Sequence, residues 1–129
     1  MLMALEDKEQ TGKNHNFKTS LEHAVAGLKL TWKEERNFKI HLITAFFVIV
    51  AGLFLRLTFL ELSIILLCVV LVLVAEIVNT LTENLVDMYT KGKYDIRAKK
   101  IKDLAAGGVL LSALFAAVIG IVIFANKIW

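Results

Sequence analysis

Three uncharged apolar runs constrain this chain more than any other feature: Leu42 to Leu55, Leu62 to Ala75 and Leu104 to Ala125. With their helical flanks, each reaches the roughly 20 residues that cross a hydrocarbon core about 30 Å thick. A soluble chain of 129 residues could not bury all three, because at that size too much surface stays exposed. A composition that is 57% hydrophobic agrees with a bilayer setting. Hydrocarbon offers no partner to a free backbone N–H or C=O, so such segments must be helical. Proline is absent, which suits uninterrupted helices. The expected fold is an all-α membrane protein.

Four helices follow from the pattern. Phe17, Leu21, Ala24, Leu28 and Trp32 recur at helical spacing, with Lys18, Glu22, Lys29 and Lys33 mainly elsewhere on the helix. This predicts an amphipathic surface helix over about 17–36, lying at the membrane with Trp32 near headgroup level. Transmembrane segments are predicted at about 38–60, 62–88 and 104–125, the second long enough to project from the bilayer. Residues 1–16 are polar with mixed charge and read as a flexible cytoplasmic tail, leaving 17–129 as one membrane domain. Lys91, Lys93, Arg97, Lys99, Lys100 and Lys102 make the connection before the last span strongly basic, so that side is expected to face the cytoplasm. Three crossings then put the C-terminus outside.

Several function classes drop out. A single cysteine, Cys68, sits inside an apolar run and supports neither an internal disulfide nor a zinc cage. The net charge of +3 is concentrated beside the membrane, so no nucleic-acid partner is expected.

Glu76, Asn79, Glu83 and Asp87 carry the chemistry. Their spacing keeps all four within roughly 80° of arc on the second span. A charge at membrane depth costs at least about 2.5 to 3.5 kcal/mol on the insertion scale, so a polar stripe there calls for a function. The two glutamates stand two turns apart, about 10 Å along the axis, too far to grip one small cation unaided. They are expected to divide the work. Glu76 borders the longest apolar stretch, where poor solvation makes a carboxylate a proton acceptor for a substrate hydroxyl. Glu83 suits Mg²⁺ ligation beside phosphate oxygens, and Asn79 can orient either.

Two further clusters flank the spans. The run Trp32-Lys33-Glu34-Glu35-Arg36-Asn37-Phe38-Lys39-Ile40-His41 lies at an interface, where charged helix flanks are common. The basic segment includes Lys93-Tyr94-Asp95 and Lys102-Asp103, and suits either anionic headgroups or nucleotide phosphates. There is no glycine-rich phosphate loop of the Walker or protein-kinase type.

In combination these residues resemble the prokaryotic diacylglycerol kinase and undecaprenol kinase family of small trimeric membrane kinases. The likeness is carried by Glu35-Arg36-Asn37-Phe38-Lys39-Ile40-His41, by Ala75-Glu76-Ile77-Val78-Asn79-Thr80 with Glu83 and Asp87, and by Ala98-Lys99-Lys100-Ile101-Lys102-Asp103. It covers about Phe17 to Phe124. The resemblance implies ATP as co-substrate, Mg²⁺ as cofactor, a membrane lipid alcohol as acceptor, a homotrimer, and a bacterial inner membrane with the site on its cytoplasmic side. It implies Glu76 as catalytic base and Glu35 and Glu83 as metal ligands. The same comparison makes His23, Glu35, Asn79, Glu83, Lys93, Tyr94, Asp95, Lys102 and Asp103 nucleotide contacts, with Trp32, Phe38, His41 and Glu76 on the lipid side. His23 stands where the diacylglycerol branch is usually aromatic. The loop between Asp87 and Lys102 is one residue longer than in that branch, and Asn16 or Phe17 replaces its arginine. The Glu-Arg-Asn-Phe-Lys-x-His run favours the undecaprenol branch, with diacylglycerol as the alternative acceptor.

Two rivals come from other classes. A proton-coupled small transporter also needs an intramembrane glutamate facing a cavity, but leaves Glu35, Lys102 and Asp103 without a joint purpose. An assembly protein would tolerate loss of the Glu76 charge.

Overall fold

The structure, a computed structural model, describes residues 16–129. Of the expected N-terminal tail only Asn16 falls within them; its side-chain Oδ1 accepts from the Thr19 N–H at 2.8 Å and caps the first helix. The chain divides into a unit that ends at Glu34 and a unit spanning Glu35–Trp129. The first contributes helix α1, Phe17–Glu34, which buries none of its residues. Phe17, Leu21, Leu28 and Trp32 are exposed on it, as on a helix that sinks one face into the headgroup region.

The second unit holds α2, Arg36–Phe54, α3, Phe59–Thr90, and α4, Ile96–Ile128. All three are long and apolar enough to cross a membrane. The first span ends about six residues before the expected Leu60, and the cause is local. Arg56 takes a left-handed conformation with φ of 58°. The Leu57 N–H then donates to the Gly52 carbonyl at 3.0 Å, folding the turn back over α2. Gly52 lets this turn sit close, since a Cβ there would lie 2.8 Å from the Leu57 Cδ1 and push that side chain aside.

Thr58 opens α3 with a reciprocal cap: its hydroxyl accepts from the Glu61 N–H at 3.2 Å, while the Glu61 carboxylate accepts from the Thr58 N–H at 2.7 Å. Thr58→Ala should lower stability by about 1 kcal/mol, read as an earlier unfolding midpoint in detergent micelles. An unchanged midpoint would remove the cap from the account of this turn.

The last helix differs more from expectation. It begins at Ile96 rather than near residue 104, because Asp95 caps it by accepting from the Arg97 N–H at 2.8 Å. Only residues 91–95 form the connection, entered through Lys91 and Gly92 at φ of 53° and 75°. Most of the basic segment is therefore the first turns of α4. Charge marks where hydrocarbon ends, not where a helix ends.

Packing follows a seven-residue period. Phe38, Ala45 and Gly52 are the buried positions of α2; Ile65, Val72, Asn79 and Val86, with Glu76 between them, are those of α3. Such a repeat keeps one seam facing a partner helix as the pair wraps together. The Lys102 ammonium meets the Asp87 carboxylate at 2.6 Å at one end of the α3–α4 pair, and Lys127 meets Glu61 at 3.4 Å at the other. Those acids lie about 26 residues apart on α3, roughly 39 Å, close to the thickness of a bilayer with its headgroups. Both pairs thus sit where water can solvate them. The outward faces of α4, including Leu111, Phe115, Val118 and Val122, are exposed apolar surface fit for lipid or another subunit.

Candidate active site

Glu76 is 1% exposed, the most enclosed side chain among the described residues, and Asn79 one turn on is 7% exposed. Both occupy the seam of α3, where the repeat would ordinarily place aliphatic residues. By helical rise, Glu76 lies about 10 Å beyond Glu83 and about 16 Å from Asp87, well inside the hydrocarbon layer.

The first turns of α2 bring the partners. His41 Nε2 is 3.9 Å from Glu76 Oε2. Asn37 is one turn before His41 on the same helix, and Glu83 is two turns after Glu76 on α3. Glu35 is the non-helical residue between α1 and α2 and is half-buried, whereas Glu34 is exposed; the break selects Glu35 as the inward carboxylate. Phe38, 5% exposed, packs beside this cluster as the first seam residue of α2.

Asn79 Nδ2 donates to Glu83 Oε1 at 3.4 Å, tying the carboxamide to the outer glutamate. Among the described residues, three buried side-chain oxygens have no protein hydrogen-bond partner: Glu76 Oε2, Asn79 Oδ1 and Thr80 Oγ1. An unmet buried acceptor costs about 1 to 3 kcal/mol, more for a charged one, so these oxygens call for water or another polar partner.

No group of three or more His, Cys, Asp or Glu side chains among the described residues forms a ready metal cage. Mg²⁺ does not require one, since it is commonly held by one or two carboxylates with water and substrate phosphates completing the shell. Glu35 at the start of α2 and Glu83 tied to Asn79 are hard oxygen donors of the kind that pattern uses.

The basic region is less positive than its composition. Arg97 pairs with Asp95 at 3.1 Å, Lys99 with Asp103 at 2.5 Å, and Lys102 with Asp87 at 2.6 Å. Lys91, Lys93 and Lys100 have no ion-pair partner among the described residues. Exposed pairs contribute little, so Lys102 can exchange Asp87 for a phosphate at small cost. Lys102 and Asp103, expected to act together, have different partners here. Asp95 is occupied with its cap, and hydrogen bonds from the Arg97 side chain and backbone hold its carboxyl below the usual carboxylate range. Lys93 and Tyr94 are exposed on the connection, with Tyr94 at 80%. His23 and Trp32 are exposed on α1 in the N-terminal unit.

Sequence reasoning left out Asn37 and Thr80. The signal for Asn37 was its i, i+4 relation to His41 beside the Phe38-Ala45-Gly52 seam; nothing in the sequence marked the Thr80 hydroxyl as enclosed.

The sequence profile of the family described as Prokaryotic diacylglycerol kinase matches residues 22–124. A diacylglycerol kinase of Synechocystis sp. is 37% identical over 105 residues, covering 81% of this chain and 60% of that protein. An undecaprenol kinase of Bacillus subtilis is 34% identical over 124 residues, covering 96% of this chain and 100% of that one. A diacylglycerol kinase of Helicobacter pylori strain J99 is 36% identical over 100 residues, covering 78% and 77%. The chain thus spans under two thirds of the Synechocystis protein and the full length of the Bacillus one.

Proposed function

The chain belongs to the prokaryotic diacylglycerol kinase family, and on that premise we propose that it transfers the γ-phosphoryl group of ATP to the hydroxyl of a membrane lipid alcohol, undecaprenol being the favoured acceptor. One observation carries the reading: a carboxylate 1% exposed, deep in a span and 3.9 Å from the His41 imidazole.

Glu76 receives the proton of the lipid hydroxyl as the oxygen attacks phosphorus in line with the departing ADP. No phosphoenzyme is needed. His41, 3.9 Å from the Glu76 carboxylate and with 27% of its side chain exposed, orients that carboxylate and passes the proton outward. Asn79 steadies Glu83, and Lys102 moves from Asp87 to the phosphates. Glu35 and Glu83 would hold Mg²⁺, which when bound offsets charge on the triphosphate. Positioning supplies most of the remaining rate.

Undecaprenol is preferred because the undecaprenol kinase of Bacillus subtilis matches end to end, and because the run from Glu35 to His41 suits that branch. Diacylglycerol is the competing acceptor, carried by the names of the other relatives. A cytoplasmic site is favoured by the positive charges from Lys91 to Lys102, and a homotrimer by the resemblance to the family.

Purified protein in bilayers with labelled ATP and a panel of lipid alcohols tests this directly. Label should pass to a polyprenol faster than to diacylglycerol. Faster labelling of diacylglycerol reverses the substrate ranking, and no lipid-dependent label on any alcohol ends the kinase reading. Mass measurement in mild detergent tests the trimer.

A further inference from the structure

Along α1 the side chains sort into a stripe and two unlike edges. At about 100° per residue, Phe17, Leu21, Val25, Leu28 and Trp32 fall within roughly 80° of arc. All five are exposed. Lys18, Glu22, Lys29 and Lys33 fill roughly the next 60° on one side of that stripe, and Ser20, Ala24, Gly27 and Thr31 border it on the other. The hydroxyls of the second edge are taken up by the helix itself. Thr31 Oγ1 donates to the Gly27 carbonyl at 2.9 Å and Ser20 Oγ to the Asn16 carbonyl at 3.3 Å. Charge therefore borders the stripe on one side only, three lysines against one glutamate. His23 lies beyond the uncharged edge, away from the lysines.

Helix chemistry alone does not account for this row. Lys18, Lys29 and Lys33 are exposed and have no ion-pair partner among the described residues. Lys18 stands in the first turn, where the helix dipole disfavours a cation and no acidic residue offsets it. Lys29 and Lys33 are at i and i+4, the spacing at which like charges repel on a helix surface. An anion lying along the row relieves both. With the apolar stripe sunk in a bilayer, the lysine stems reach out from its edge and bring their ammonium groups to the depth of the lipid phosphates. The stripe docks on any bilayer, whereas the lysine row responds to surface charge.

We propose that Lys18, Lys29 and Lys33 bind the headgroups of anionic phospholipids, so that α1 holds an acidic membrane surface more tightly than a neutral one. The proposal does not depend on the kinase reading. Each basic side chain close to an anionic surface strengthens binding about five-fold, so three lysines less Glu22 give roughly 25-fold.

Hydrogen–deuterium exchange on the full chain in nanodiscs tests this, with α3 amides as the internal reference. On passing from phosphatidylcholine to a mixture containing about one third phosphatidylglycerol, α1 amides should exchange about 25-fold more slowly, and the difference should shrink as salt rises. The triple variant Lys18→Gln, Lys29→Gln, Lys33→Gln keeps residues of similar helix propensity. Its α1 should exchange alike in both membranes, at a rate close to that of the unaltered protein in the neutral one. Equal α1 exchange of the unaltered protein in the two membranes overturns the proposal. So does a difference that survives the triple variant, or one that disappears when only Lys91 and Lys100 are changed to Gln. Slowing of α1 exchange in neutral discs by soluble glycerol phosphate would make the row a site for free phosphate and overturn the lipid assignment. Slowing that follows the number of copies per disc, whatever the lipid, would give the edge to a second copy and overturn it too.

Discussion

Glu76→Gln is expected to lower phosphoryl transfer by about 100-fold to 10,000-fold, the range that a positioned general base supplies, while Mg-ATP binding stays close to that of the unaltered protein. The substitution is isosteric and replaces a buried carboxylate with a neutral carboxamide. Burying a charge is costly and burying a hydrogen-bonded amide much less so, so the fold should be at least as stable. This combination separates a base from a structural residue, for which turnover would track stability. Turnover in bilayers, equilibrium nucleotide binding and a melting curve on the same preparation provide the check. Near-normal turnover in a folded variant would strip Glu76 of its assigned role and restore the transporter and assembly readings.

Glu83→Gln should act on the other side of the reaction. If its carboxylate holds the metal that accompanies the triphosphate, the variant should need about 10-fold to 100-fold more Mg²⁺ for half-maximal activity, with excess Mg²⁺ recovering part of the loss. Glu35→Gln should behave alike. Asn79 donates to Glu83 at 3.4 Å, so the change also loosens the carboxamide between the two glutamates and some kcat should be lost with the affinity. The measurement is a Mg²⁺ titration of activity at fixed ATP. A titration superimposable on that of the unaltered protein would remove Glu83 from metal binding. Together the two variants divide the stripe: the inner carboxylate governs rate, the outer one governs metal-nucleotide affinity.

Much of this could be seen in the residues alone, for reasons specific to bilayers. An apolar run has few fates in hydrocarbon, so the three spans were legible from hydropathy. A carboxylate within such a run is conspicuous because its cost is high, which singled out Glu76, Asn79 and Glu83. The turn at Leu55 to Thr58 was hidden for the same reason. Leu55, Leu57, Phe59 and Leu60 continue the apolar run through it, and hydropathy does not register the left-handed Arg56 or the Thr58 cap. At α4 the error went the other way. The charges from Arg97 to Lys102 looked like a connection, although Asp95 starts the helix before them.

The sequence by itself determined the fold class, the number of crossings, the polar stripe and the family, because each depends on local periodicity or on the price of placing a charge in hydrocarbon. Only the tertiary structure decided that His41 meets Glu76, that Lys102 pairs with Asp87, and that three helices leave a groove that reaches His41. These are relations between helices, fixed by how their seams interlock. A single helix carries its own pattern, but distances to its neighbours exist only once the chain has packed.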